Sequence, residues 1–181
     1  MDGQAFLRPA VVAKAARKIE SQFGGVLYHR EAQARLDRIG AALLEAAPDC
    51  GVRCYFRLLG SSHLNALSVP EGGIYITVGL YNALGAEDLL AAALAHELAH
   101  IAAGDGWRPS KSSRDQLRKE IQADLRAISY LSSAGYDPGA MRDLVRLLRH
   151  EQRPGWSASR SSAMEDALAP KVLVVNRAPA R

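Results

Sequence analysis

The stretch that decides the fold is residues 87–104, EDLLAAALAHELAHIAAG. Two acids at its start and a glycine at its end are typical of the first turn and the C-terminal stop of a helix. Between them the residues are mainly alanine and leucine, which predicts a helix packed into the core. The run is too short and contains too many polar residues to cross a membrane.

This predicted helix carries the motif H-E-x-x-H at His96, Glu97 and His100. Residues four apart lie on one helical face about 6 Å from each other, so both imidazoles can reach one zinc ion. Glu97 is rotated by about 100° from His96, which lets its carboxylate reach a water bound to the metal. Without a metal, several polar groups on this apolar helix would stay unpaired. The motif therefore predicts that His96 and His100 bind zinc and that Glu97 is a general base.

A catalytic zinc site needs a third protein ligand, and residues 114–133 form a second predicted helix that offers one. Glu120 and Asp124 lie one turn apart on this helix. Glu120 is the candidate ligand, and Asp124 is the candidate acceptor for a hydrogen bond from a zinc-bound imidazole. The alternative is a solvated acidic face that pairs with Arg118 or Lys119.

The flanking sequence predicts a small α+β domain. Apolar periodicity and turn residues indicate helices over 5–22, 30–47 and 139–150, and short strands over 52–59, 66–69 and 74–78. Strands of this spacing favour a mostly antiparallel sheet. Residues 171–175 form a further candidate strand. We expect one domain over 1–181, with a helical extension at 1–50, a catalytic core at 51–150 and an irregular tail at 151–181.

Composition excludes several other classes of protein. The chain has 181 residues, a net charge of +4 and 6% aromatic residues, which gives no basis for nucleic-acid binding. Its two cysteines exclude a disulfide-built scaffold. On an extended strand Cys50 and Cys54 would lie about 13 Å apart, so buried free thiols are expected unless a turn at Gly51 brings them together.

Signals for export or membrane insertion are absent from the sequence. No signal peptide and no integral membrane span are visible. We therefore expect a cytoplasmic location for the chain as it stands, or a periplasmic or exported one if a leader has been removed.

Five ordered blocks of sequence resemble one known family: NALSVP at 65–70, GIYIT at 73–77 with Gly79 and Leu80, HELAH at 96–100, EIQAD at 120–124 and AGYDP at 134–138. The chain is similar to the gluzincin metallopeptidases of the CAAX prenyl protease and HtpX-like type, as a soluble member. The resemblance implies a zincin-like fold and one zinc ion per chain. It also implies metal ligands at His96, His100 and Glu120, a base at Glu97, and a supporting carboxylate at Asp124.

The resemblance further implies how substrate binds. A polypeptide in extended conformation would lie along an edge strand at residues 65–69, with Asn65, Ala66 and Leu67 as the substrate-binding residues.

One departure from the family concerns the region after the last helix. Members often carry a His-Pro followed by an arginine there, whereas residues 156–160 of this chain read WSASR. His150, Arg160 and Tyr136 are the remaining candidates for a transition-state contact. Each is also a common surface or packing residue.

Together these observations predict a zinc-dependent endopeptidase. The main alternative is a catalytically inactive peptidase-like domain that keeps zinc and acts as a chaperone or adaptor, or a latent enzyme whose cleft is plugged by its own tail at residues 154–181. A third class, a helical interaction module without metal, stays open at this point. The oligomeric state is unknown from the sequence.

Overall fold

The computed structural model describes residues 9–151 and 153–169. This part of the chain has an α+β fold with seven helices, one 3-10 turn and three strands. In chain order the elements are α1 (Pro9–Gln22), α2 (Arg30–Glu45), β1 (Tyr55–Leu59), β2 (Ala66–Ser68), β3 (Gly73–Thr77), α3 (Val78–Ala83), α4 (Glu87–Ala103), the 3-10 turn (Asp105–Trp107), α5 (Ser113–Ala134), α6 (Ala140–Leu147) and α7 (Trp156–Leu168).

The three strands form one mixed sheet in the order β1-β3-β2. β3 pairs in parallel with β1 over five residue pairs and antiparallel with β2 over three. The prediction of a mostly antiparallel sheet is therefore wrong. All five residues of β3 are buried, and a strand buried on both faces is stabilised by a partner on each side. β3 accordingly lies between the two strands that precede it in the chain, an order that the spacing of the strands does not indicate.

Beneath the sheet, α2 and α4 form the main core. Leu36, Ile39 and Leu43 of α2 are fully buried. Gly40 is required here because a β-carbon at this position would lie 2.1 Å from Cε2 of Phe56 on β1. The close approach brings α2 directly onto the sheet.

Helix α4 is the central helix of the fold and packs on β2, α5 and α6. It ends at Gly104, which has a left-handed φ of +68°. The chain then turns immediately into Asp105–Trp107 and on to α5, where the Ser112 side chain accepts a hydrogen bond from the Asp115 N–H. α5 thereby returns alongside α4.

The predicted irregular tail is wrong for residues 156–168, which form α7 and pack on α5 and α6. Of the α7 side chains that the structure describes, Arg160 and Met164 are buried, one turn apart. A helix with so little buried apolar surface has no hydrophobic periodicity to predict it. The candidate strand at 171–175 lies outside the described residues.

None of the helices in the described part of the chain combines the length and the hydropathy that a membrane span requires.

Candidate metal centre

Three donor side chains meet where α4 packs against α5. Nε2 of His96 lies 3.1 Å from Nε2 of His100. The carboxylate of Glu120 lies 3.5 Å from the first of these nitrogens and 3.7 Å from the second. All three side chains are half-buried, and their ligand atoms lie within 4.8 Å of one another.

This donor set fits a zinc ion. Two imidazole nitrogens and one carboxylate oxygen are a common set of protein ligands in catalytic zinc sites. Ligand atoms about 2.0–2.1 Å from a tetrahedral zinc lie about 3.3 Å from each other, close to the separations found here. His96, His100 and Glu120 would therefore hold the metal without a large rearrangement.

The outward-facing nitrogens of both imidazoles meet carboxylates. Nδ1 of His100 is hydrogen-bonded to Oδ2 of Asp105 at 2.9 Å. Nδ1 of His96 faces Oδ1 of Asp124 at 3.0 Å, although its alignment falls short of a hydrogen bond. Carboxylates in this position orient a ligating imidazole and raise its basicity.

Asp105 is a site residue that the sequence analysis missed. It follows directly after Gly104, whose left-handed turn brings the chain back towards His100. An acid after a glycine helix stop is the signal that could have pointed to it.

The carboxylates around His96 change its ionisation. Burial alone lowers the pKa of His96, but Asp124 and Glu120 outweigh this effect and raise the pKa to about 10. Burial favours the neutral form of Glu120, yet the hydrogen bond with His96 holds the pKa of Glu120 down at about 2. The site between the two helices therefore stabilises a positive charge, as a site for a divalent cation must.

Arg160 reaches this cluster from α7. Its Nε and Nη2 donate to the two carboxylate oxygens of Asp124 at 2.7 and 2.6 Å. Its Nη1 lies 3.3 Å from Oε2 of Glu120. Burial raises the pKa of Asp124, but this fork outweighs it, and the net pKa of Asp124 is lowered. The structure thus places the Arg160 guanidinium on the two acids of α5.

Glu97 borders the same cavity as His96 and is hydrogen-bonded to the sheet. Its Oε2 accepts a hydrogen bond of 2.8 Å from Oγ of Ser68, the last residue of β2. The sequence analysis did not single out Ser68. This bond ties the candidate base to the strand that carries Ala66 and Leu67, with Asn65 directly before it.

β2 is an edge strand. It pairs with β3 through Ala66, Leu67 and Ser68, and within the described residues no strand pairs with its other edge. That edge is available for the main chain of a peptide.

A cavity of about 130 Å³ opens beside this edge, with an aliphatic side and a polar side that includes Glu151. α3, α4 and α6 supply most of its wall, and Asn65, Ala66, His96, Glu97 and Arg160 border it. The aliphatic lining residues are Leu64, Leu80, Met141, Leu144, Val145 and Leu148. For comparison, a dry cavity of about 150 Å³ accommodates benzene, so this space suits one apolar side chain.

The other two candidates for a transition-state contact lie elsewhere. His150 is exposed and accepts a hydrogen bond from Arg149. Tyr136 packs on the core, where burial and the charge of Glu87 raise its pKa. Glu87 begins α4, nine residues before His96, so about 14 Å of helix separates the two. Neither side chain is brought to the three candidate metal ligands.

Residues 30–111, a little under half of the chain, match the sequence model of peptidase family M48. The matched segment contains His96, Glu97 and His100 and ends before the helix that carries Glu120. The comparison with curated proteins found no match.

The α+β fold is compatible with the zincin-like architecture and carries a candidate metal-binding triad. Over residues 30–111 the chain is similar to peptidase family M48. That family consists of zinc metallopeptidases, so the similarity supports a protease that depends on zinc and acts on peptides.

Proposed function

We propose that this chain is a zinc-dependent endopeptidase that holds one zinc ion per chain through His96, His100 and Glu120. The convergence of these three donor atoms beside Glu97 carries the proposal.

A zinc ion held by this triad supplies Lewis-acid activation of a water molecule and of the scissile carbonyl. Glu97 takes the proton from the water and later delivers it to the leaving amine. Ser68 donates to one carboxylate oxygen of Glu97 and so leaves the other oxygen for the proton. The hydrogen bond also fixes the side chain against rotation.

The substrate is a polypeptide in extended conformation that adds to the free edge of β2. Asn65, Ala66 and Leu67 bind its main chain, which is a weakly selective mode of recognition. Selectivity comes from the cavity next to the strand, whose aliphatic lining accepts an apolar side chain of the peptide. Cleavage therefore falls next to apolar residues.

Arg160 acts through other residues in this proposal. Its guanidinium is directed at Asp124 and Glu120, so it positions the ligands and does not contact the transition state. Because this positioning residue comes from α7, residues beyond 150 form one functional unit with α4 and α5.

The experiment is digestion of an unfolded protein such as reduced casein, before and after removal of metal by a chelator. We expect internal peptide bonds to be cleaved, cleavage to stop in the metal-free protein, and one equivalent of zinc to restore it. Mass spectrometry of the products distinguishes internal cleavage from trimming at the ends. Stoichiometric zinc without cleavage of any substrate would instead support the peptidase-like chaperone or adaptor, which the family match does not favour.

A further inference from the structure

The two cysteines lie side by side in the connection between α2 and β1. Sγ of Cys50 is 3.2 Å from Sγ of Cys54, and both thiols are free. Gly51 has a left-handed φ of +67°, a conformation that glycine adopts without strain. The turn at Gly51 therefore brings together two residues that an extended chain would hold far apart.

The surroundings of the pair argue against the other uses of two thiols. Among the described residues, the three-residue cluster suited to a metal is the triad of α4 and α5, so no third ligand completes a zinc site at the cysteines. Burial and the neighbouring Cys50 thiol raise the pKa of Cys54 to about 12, so its thiolate is scarce at neutral pH and its exchange with a disulfide is slow. Both sulfurs also approach the carbonyl oxygen of Val52, each at 3.7 Å.

Access to the pair comes through one cysteine. Cys50 is buried in the main core, whereas Cys54 is partly exposed. A reagent in solution can therefore react with Cys54 first. Cys50 lies within reach of the mixed disulfide that this reaction forms on Cys54.

We propose that Cys50 and Cys54 are a disulfide-forming site that is oxidised by exchange with a small disulfide such as oxidised glutathione. Cys54 loses its proton to solvent and its sulfur attacks one sulfur of the reagent, which releases the first thiol and leaves a mixed disulfide. Cys50 then loses its proton and attacks the Cys54 sulfur, which releases the second thiol. Two protein thiols are oxidised and one reagent disulfide is reduced to two thiols.

The resulting bridge links the end of the α2 connection to the start of the sheet. Directly after Cys54, the N–H of Tyr55 donates to the carbonyl of Gly72 at 2.9 Å, so the bridged loop leads into the pairing of β1 with β3. A closed loop restricts the unfolded chain, so the bridge raises the temperature of unfolding. The proposal does not depend on peptidase activity.

The test uses the full chain, whose only two cysteines make its mass unambiguous. The folded protein is incubated with oxidised glutathione, alkylated and weighed intact. We expect a mass lower by two hydrogen atoms with no alkyl group added, and two added alkyl groups in a sample kept reduced. Two alkylated thiols after oxidation, or two bound glutathiones, would overturn the proposal.

Cys54→Ser provides the matched control. It keeps the buried Cys50 and removes the partner, so the proposal predicts no loss of two hydrogens and no dependence of its unfolding temperature on the oxidant. The wild type is predicted to unfold at a higher temperature after oxidation than before. An unchanged or lower unfolding temperature in a bridged sample would contradict the stabilising role of the bridge.

Discussion

Two arginine–carboxylate forks join helices in the part of the chain that the structure describes, and their hydrogen bonds are of nearly equal length. Arg38 of α2 donates to both oxygens of Glu87 at 2.7 Å, and Arg160 of α7 donates to both oxygens of Asp124 at 2.7 and 2.6 Å. Their environments differ. The side chains of Arg38 and Glu87 are 58% and 40% exposed, whereas those of Arg160 and Asp124 are 8% and 0% exposed.

The difference in burial decides what each fork does. Solvent screens the exposed pair, which therefore contributes little to stability. The buried pair is desolvated, so each partner depends on the other, although two apolar residues of similar volume would often be as stable. Because the buried fork lies directly behind His96 and Glu120, we infer that it is kept for positioning the ligands and contributes little net stability.

Removing one partner of the buried fork is the largest expected change. Arg160→Ala leaves the Asp124 carboxylate buried and unpaired, and we expect the free energy of unfolding of the metal-free protein to fall by about 3–5 kcal/mol. Urea titration followed by circular dichroism measures it. A fall below about 1 kcal/mol, the range of surface pairs, would show that burial does not distinguish the forks.

Replacing both partners separates stability from positioning. The double variant Asp124→Leu, Arg160→Met leaves no unpaired charge, so we expect it to be more stable than Arg160→Ala. Its zinc affinity should still be about 10–100-fold below wild type because His96 has lost its carboxylate partner. Competition with a chromogenic chelator measures this affinity. Wild-type affinity in the double variant would refute the positioning role of the fork.

The hydrogen bond between Ser68 and Glu97 is half-buried, so its burial is intermediate between those of the two arginine forks. Ser68→Ala removes the donor to Oε2 of Glu97, and we expect kcat/KM to fall about 10–100-fold while zinc content stays the same, since a bond to a charged group contributes about 1.5–3 kcal/mol. Ser159→Ala on the exposed face of α7 is the matched control. Equal kcat/KM values for Ser68→Ala and Ser159→Ala would show that the hydrogen bond from Ser68 does not assist Glu97.

The exposed fork gives the smallest expected change. Arg38→Ala should leave the urea midpoint, zinc content and kcat/KM of the protein at their wild-type values, because solvent replaces the lost contacts of Glu87. The urea titration used for Arg160→Ala measures both variants. A destabilisation equal to that of Arg160→Ala would overturn the comparison.

Local spacing explains which parts of the fold and site could be predicted from the sequence. His96 and His100 lie on one face of a helix at any i, i+4 spacing, and Gly104 after an apolar run is a helix stop in most contexts. The position of Glu120 opposite them depends on the packing of α5 on α4, yet its motif and the family resemblance point to it. The assignment of these three residues as zinc ligands stays a prediction.

Long-range contacts explain what could not be predicted. Nothing local to β1 and β2 indicates that β3 lies between them, because strand order depends on which strand is buried on both faces. Helix α7 has too few buried apolar residues for a periodic pattern. The role of its buried Arg160 could not be predicted either, because it depends on the contact with Asp124, which lies 36 positions earlier in the chain.

The central claim is that Glu97 is the base of a zinc-dependent reaction, and Glu97→Gln tests it most directly. The substitution keeps the size of the side chain and one acceptor oxygen for Ser68, but the amide cannot take up a proton at neutral pH. We predict one zinc per chain, as in the wild type, and a loss of kcat of about 10²–10⁴-fold. A zinc-loaded variant that still cleaves casein at the wild-type rate would contradict the account.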